Sequence, residues 1–116
     1  MSDTLNYTVT EHEGIKLLEL VGYLSVNTNM EFADFLETIT DTDNVIIDMK
    51  SVDLVTSAGV ESLVMLSQNA HKKDKRIILA GVKPEIKDMF GSLSMYRFVI
   101  FADTVEEGLH KMQYYI

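Results

Sequence analysis

An α/β fold is predicted for this chain: one domain on a mixed, mostly parallel five-stranded sheet flanked by four helices, ordered β-β-α-β-α-β-α-β-α. Three observations lead there. Val45-Ile46-Ile47-Asp48-Met49 and Arg76-Ile77-Ile78-Leu79-Ala80 are short apolar runs, the pattern of strands buried on both faces of a parallel sheet. Segments with apolar residues at helical spacing separate and follow them. Two runs near the N-terminus, joined by a polar turn, read as a hairpin.

The elements follow in order. Leu5, Tyr7 and Val9 alternate with polar residues, as a half-buried strand requires. Glu11-His12-Glu13-Gly14 is the turn, and Ile15 to Val21 is the returning strand, which Gly22 is expected to end. Tyr23 to Asn29 reads as a loop, and Thr28 with Glu31 has the spacing of a capping box. Phe32, Phe35, Leu36 and Ile39 share one face of a first helix, and Asp41-Thr42-Asp43-Asn44 forms a turn. After the strand Val45–Met49, residues Val60, Leu63, Val64 and Ser67 mark a second helix reaching about His71.

Lys72, Lys73, Lys75 and Arg76 read as charges favoured at a helix C-terminus. Pro84 suits the first turn of a third helix whose apolar face is Ile86, Met89, Phe90 and Leu93. Phe98 to Phe101 is a last strand. Thr104 and Glu107 make a second capping box, ahead of a helix lined by Val105, Leu109, Met112 and Ile116. Met49, Met65, Met89, Met95 and Met112 are expected to serve packing. Helices between strands imply right-handed crossovers, and the hairpin adds the antiparallel strand.

Composition narrows the function. The 116 residues suit a single domain. No cysteine is present, which removes disulfides, thiol nucleophiles and cysteine-bound metals. A formal net charge of −8 argues against a nucleic-acid backbone and favours a basic patch on a protein partner. Met1-Ser2-Asp3-Thr4-Leu5 lacks the pattern of a signal peptide, and no apolar run approaches the roughly 20 residues of a membrane helix. A cytoplasmic protein without membrane attachment is therefore expected. His12, His71 and His110 have no metal-ligand spacing, so no metal is expected. No Gly-rich phosphate loop or nucleophile–base pair is visible either, so no cofactor and no catalytic residue is expected.

The informative stretch runs from Val52 to Leu63, where Thr56-Ser57-Ala58-Gly59 joins a strand to a helix. Two readings of Ser57 stand side by side. It can cap the helix, its oxygen accepting a first-turn N–H. It can also be a modification site, because a phosphate at a helix start meets unpaired N–H donors and the positive end of the dipole. The added charge of about −1.5 to −2 would repel a partner without unfolding the domain. Thr56 reads as a structural hydroxyl in the turn. Gly59 reads as a small residue in a tight first turn that also lets a partner approach. Asp48 is expected to end its strand and accept from loop amides.

The order and the motif together resemble the STAS domain, and within it the stand-alone anti-sigma factor antagonists. Ile46-Ile47-Asp48-Met49, then Thr56-Ser57-Ala58-Gly59-Val60 and Leu63, carry most of the likeness. Gly22-Tyr23-Leu24, Pro84-Glu85-Ile86 and the run from Phe101 to Leu109 support it. The resemblance implies a non-enzymatic interaction switch with Ser57 as phosphoacceptor and Asp48, Thr56, Ala58 and Gly59 as its motif. It implies docking through Leu24, Ser25, Val26, Asn27 and Glu61, with Leu24 and Val26 as the apolar centre. The implied partners are an anti-sigma factor that is also a serine kinase, itself binding the ATP, and a serine phosphatase. A monomer or weak homodimer is expected. Many phosphorylatable members carry aspartates where this chain has Ser25 and Thr56. A constitutive, non-phosphorylated binding module is thus the second reading. An aspartate phosphoacceptor centred on Asp48 is the third, and the chain lacks the acidic pair and lysine that a receiver domain needs.

Overall fold

The computed structural model describes residues 4–91 and 98–116; Met1 to Asp3, Leu93 and Met95 lie outside them. Strand β1 (Leu5–His12) pairs antiparallel with β2 (Ile15–Leu24), from Leu5 opposite Gly22 to His12 opposite Ile15. The turn is only Glu13-Gly14, both at positive φ (54° and 81°), the pairing that suits strand twist in a two-residue hairpin. Helix α1 (Asn29–Thr40), strand β3 (Val45–Val55), helix α2 (Ser57–Lys72) and strand β4 (Ile77–Ala80) follow. Helix α3 (Pro84–Phe90), strand β5 (Ile100–Ala102) and helix α4 (Val105–Met112) complete the described elements.

The sheet order is β1-β2-β3-β4-β5, with β2 to β5 mutually parallel. Each right-handed crossover steps one strand further in the same direction, so α1, α2 and α3 must share one face. Their apolar residues, including Phe32, Leu36, Val60, Leu63, Ile86 and Phe90, join Leu18, Ile47 and Leu79 in the larger core. Helix α4 packs on the opposite face, where Met112 meets Ile46, Ile78 and Ala102. The expected mixed α/β sheet is therefore the observed one.

Several boundaries differ from expectation. Strand β2 does not stop at Gly22 but passes through it at φ 115°, reaching Leu24. A side chain at Gly22 would collide with the Thr4 carbonyl oxygen. Strand β3 continues past Met49 to Val55, pairing with Val21 to Leu24 across two register shifts. Those shifts break the alternation of side chains by which an extended strand is recognised. Asp48 therefore sits within β3, 5 % exposed, and accepts from the Lys50 N–H at 3.1 Å. It lies level with Ala80, where β4 ends. Thr28 makes no capping bond to α1; its hydroxyl donates to the Tyr23 carbonyl at 2.9 Å and accepts from the Ser25 N–H at 3.0 Å. Thr104 does cap α4, accepting from the Glu107 N–H at 3.1 Å. Ile116 lies beyond α4 and is exposed, so that helix's inner face is formed by Val105, Gly108, Leu109 and Met112.

Lys73 does more than sit at a helix end. Its Nζ donates to the Glu37 carbonyl at 3.2 Å, Thr40 Oγ1 at 3.2 Å and Asp41 Oδ1 at 2.8 Å, tying α2 to the end of α1. The Asp41 hydrogen bond, followed by the nearby Glu37 and Asp41 charges, raises its pKa above 10.5 against the opposing pull of desolvation. A raised folded-state pKa means the contribution is complete below the unfolded value and disappears as pH rises through the folded one. Lys73→Met should cost about 1 kcal/mol near neutral pH, after allowance for partial exposure. Urea unfolding should show wild type and variant converging as the pH rises through the lysine's raised pKa. A gap that stays constant there would mean that packing of the lysine stem, not its charge, is responsible.

Candidate functional site

The parallel pairing of Leu24 with Val55 sets the exits of β2 and β3 side by side, so the loop after β2 and the turn into α2 share one sheet edge. The Thr56 N–H donates to the Leu24 carbonyl at 3.0 Å, which carries the ladder to the last residue before the helix. Thr56 is extended (φ −85°, ψ 169°), and its hydroxyl accepts from the Gly59 N–H at 3.3 Å. An N-cap oxygen reaches the third amide inside the helix, so Thr56 is the cap of α2. Ser57 is not the cap; it is the first residue within the helix. Its side chain is exposed, and its hydroxyl has no hydrogen-bond partner among the described residues. Helix geometry leaves the Ser57 and Ala58 amides without intrahelical acceptors, beside that free hydroxyl.

Gly59 is buried beneath the turn. A Cβ there would lie 2.7 Å from the Leu24 oxygen and 3.0 Å from Val55 Cγ1. Its smallness serves the packing of α2 on β2 and β3. Being covered, it offers no approach to a partner, contrary to the wider role expected of it.

The loop divides in two. Leu24 and Ser25 are buried, at 0 % and 1 % exposure, whereas Val26 is 71 % exposed and Asn27 is exposed. Leu24 therefore cannot supply the apolar centre of a docking surface. Ser25 shapes the loop instead: its Oγ accepts from the Asn27 N–H at 3.2 Å and its carbonyl from the Asn29 N–H at 2.8 Å. Glu61 is exposed one turn along α2 from Ser57, on the same helix face. The structure thus brings Ser57, Val26, Asn27 and Glu61 to one end of the molecule with their side chains outward.

Asp48 stands apart. It lines a crevice of about 330 Å³ with Lys50, Gly81, Asp103 and Thr104, on the α4 side of the sheet. Lys50 Nζ is 3.5 Å from its Oδ2. It belongs to β3, whose far end at Val55 leads through Thr56 into α2 and Ser57.

Met65 was expected inside but is 59 % exposed, and Met30 is 77 % exposed. The signal for Met65 lay in its spacing, because it falls with Ser57 and Glu61 rather than with Val60, Leu63 and Val64. Among the described residues no group of three or more His, Asp or Glu side chains is placed to hold a metal, and no helix is long and apolar enough to cross a membrane. The three histidines are exposed, with His71 against Phe98 and His110 against Tyr114.

The STAS domain family model matches residues 6–108. Among solved structures, an anti-sigma factor antagonist from Mycobacterium paratuberculosis superposes with a TM-score of 0.82 at 13% identity, covering 95% of each chain. The phosphorylated form of the Bacillus cell-fate determinant SpoIIAA gives 0.71 at 14% identity, over 92% of this chain and 99% of that one. A serine-to-glutamate variant of RsbS from Moorella thermoacetica gives 0.72 at 19% identity, over 93% and 95%.

Proposed function

The chain belongs to the STAS domain family, and from that premise we propose that it is a protein-interaction switch of the anti-sigma factor antagonist kind. It binds an anti-sigma factor that is also a serine kinase, and so regulates transcription at one remove. The kinase transfers the γ-phosphoryl group of its own ATP to the Ser57 oxygen, and the complex separates. A serine phosphatase removes the phosphate and restores binding. The chain performs no catalysis itself and acts in the cytoplasm.

One observation supports this reading above the rest: the cap of α2 is Thr56, which leaves Ser57 exposed at the helix start with an uncommitted hydroxyl. A phosphate there costs the fold nothing. It would add charge one turn from Glu61 and next to Val26 and Asn27, where the partner is proposed to dock. The presence of Ser25 and Thr56, in place of the acids of many phosphorylatable members, favours the constitutive module as the second reading. Incubation with the partner kinase and ATP, followed by peptide mass mapping, separates the two. Phosphate should appear on Ser57 and nowhere else. A complex that persists with no phosphate on Ser57 would leave the constitutive module standing.

A further inference from the structure

We propose that the seam between α1 and α2 is a second docking groove, shaped and charged for a basic amphipathic helix of a partner protein. A cleft of about 320 Å³ opens there, lined by Ala33, Asp34, Glu37, Ser62, Met65 and Leu66. Leu66 forms a buried floor, while Met65 stands 59 % exposed on the rim. Met30, one turn before Asp34 on the same face of α1, is 77 % exposed. Two long, flexible thioether side chains in water beside a groove are an adaptable apolar contact rather than core.

Charge selects the occupant. Helix α1 carries Glu31, Asp34 and Glu37 and neither lysine nor arginine. Glu61 is the sole charged residue of α2 before its last turn. The seam's cation is Lys73 at the far end, 3.5 Å from Glu37 and 2.8 Å from Asp41. Asp34 and Glu61 have no ion-pair partner among the described residues, and the chain as a whole carries −8. A second copy would bring the same acidic helices to the seam and be repelled. A helix with one apolar stripe fits between two neighbouring helices, its stripe on Met30, Ala33 and Met65 and its flanking lysines facing Asp34, Glu37 and Glu61. The groove borders the proposed switch surface at Glu61, but its lining does not include Ser57.

A roughly 18-residue peptide of lysine and leucine, with leucines at helical spacing, and its scrambled twin serve as probes. Titrated into the isotope-labelled chain, the patterned peptide should shift the amides of Ala33, Asp34, Glu37, Ser62 and Met65. Met65→Lys and Asp34→Lys should each weaken it about tenfold, as truncation of a central anchor does. Added salt should weaken it further. Ser57→Asp should leave it within about twofold, so that failure of the groove and failure of the switch read out separately. Equal binding of the scrambled peptide, shifts centred elsewhere, or an unaffected Met65→Lys variant would overturn the proposal. So would seam shifts that grow with protein concentration in the absence of peptide, which would assign the groove to a second copy.

Discussion

Replacing Gly59 by valine should lower the stability of this domain by about 3 kcal/mol, the upper end for overpacking a tight site. For a chain of this length that corresponds to a fall in Tm of roughly 12 °C. The cause is local. A Cβ at position 59 would lie 2.7 Å from the Leu24 oxygen, 3.0 Å from Val55 Cγ1 and 3.1 Å from Leu24 Cγ. That carbonyl already accepts from the Thr56 N–H at 3.0 Å, and Leu24 is held opposite Val55 in the sheet. Neither neighbour can retreat without opening the β2–β3 ladder, so α2 must lift from the sheet. Gly108, in α4, is the internal control. A Cβ there meets only side-chain atoms of Ile46 and Ile78 at 3.4 Å or more, an ordinary contact. Gly108→Ala should therefore be neutral or gain up to about 1 kcal/mol from helix propensity. Gly59→Ala, which enjoys the same propensity gain, should still lose stability. Thermal unfolding of both alanine variants decides the matter: if they shift Tm in the same direction, the close approach beneath the turn is not what constrains position 59.

The same turn shows where sequence reasoning reached and where it stopped. Buried strands such as Ile77–Ala80 are apolar throughout, and the inner faces of α1 and α2 repeat at helical spacing, so their type and order follow from local pattern. The far half of β3 has no such signature. Lys50, Ser51 and Asp53 interrupt it, and its pairing with Val21 to Leu24 runs through register shifts that only the neighbouring strand imposes. The choice between Thr56 and Ser57 as helix cap is of the same kind. Both side chains can cap, and the decision falls to the ladder that holds Val55 and Thr56 extended. Burial of Leu24 and Ser25 follows likewise from the extension of β2 through Gly22. The Thr28 spacing matched a capping box, yet its hydroxyl serves the loop behind it, a competition between side-chain partners that spacing does not resolve.

Ser57→Asp should weaken the proposed partner complex by about 100-fold while leaving the domain as stable as wild type or a few tenths of a kcal/mol more so. The two effects separate because of where the side chain stands. Ser57 is exposed in the first turn of α2, and its hydroxyl engages nothing among the described residues, so exchanging it removes no internal contact. A carboxylate at that position faces the positive end of the helix dipole, which is favourable by about 0.3–1 kcal/mol. Toward a partner the same charge acts in the opposite sense. It sits one turn from Glu61, on a surface whose apolar contribution comes from Val26 and whose burial by a partner would desolvate it. Placing a like or unpaired charge in such a contact costs several kcal/mol, and about 2.7 kcal/mol is a factor of 100 in Kd. Ser57→Ala should bind within about twofold of wild type, because a free hydroxyl is all it lacks, and should no longer release when ATP is added. Calorimetric titration of the three proteins into the partner, alongside their unfolding curves, tests both halves. Loss of binding accompanied by loss of stability would point to a damaged helix start. Unchanged binding by Ser57→Asp would remove Ser57 from the interface, and with it the physical basis of the switch.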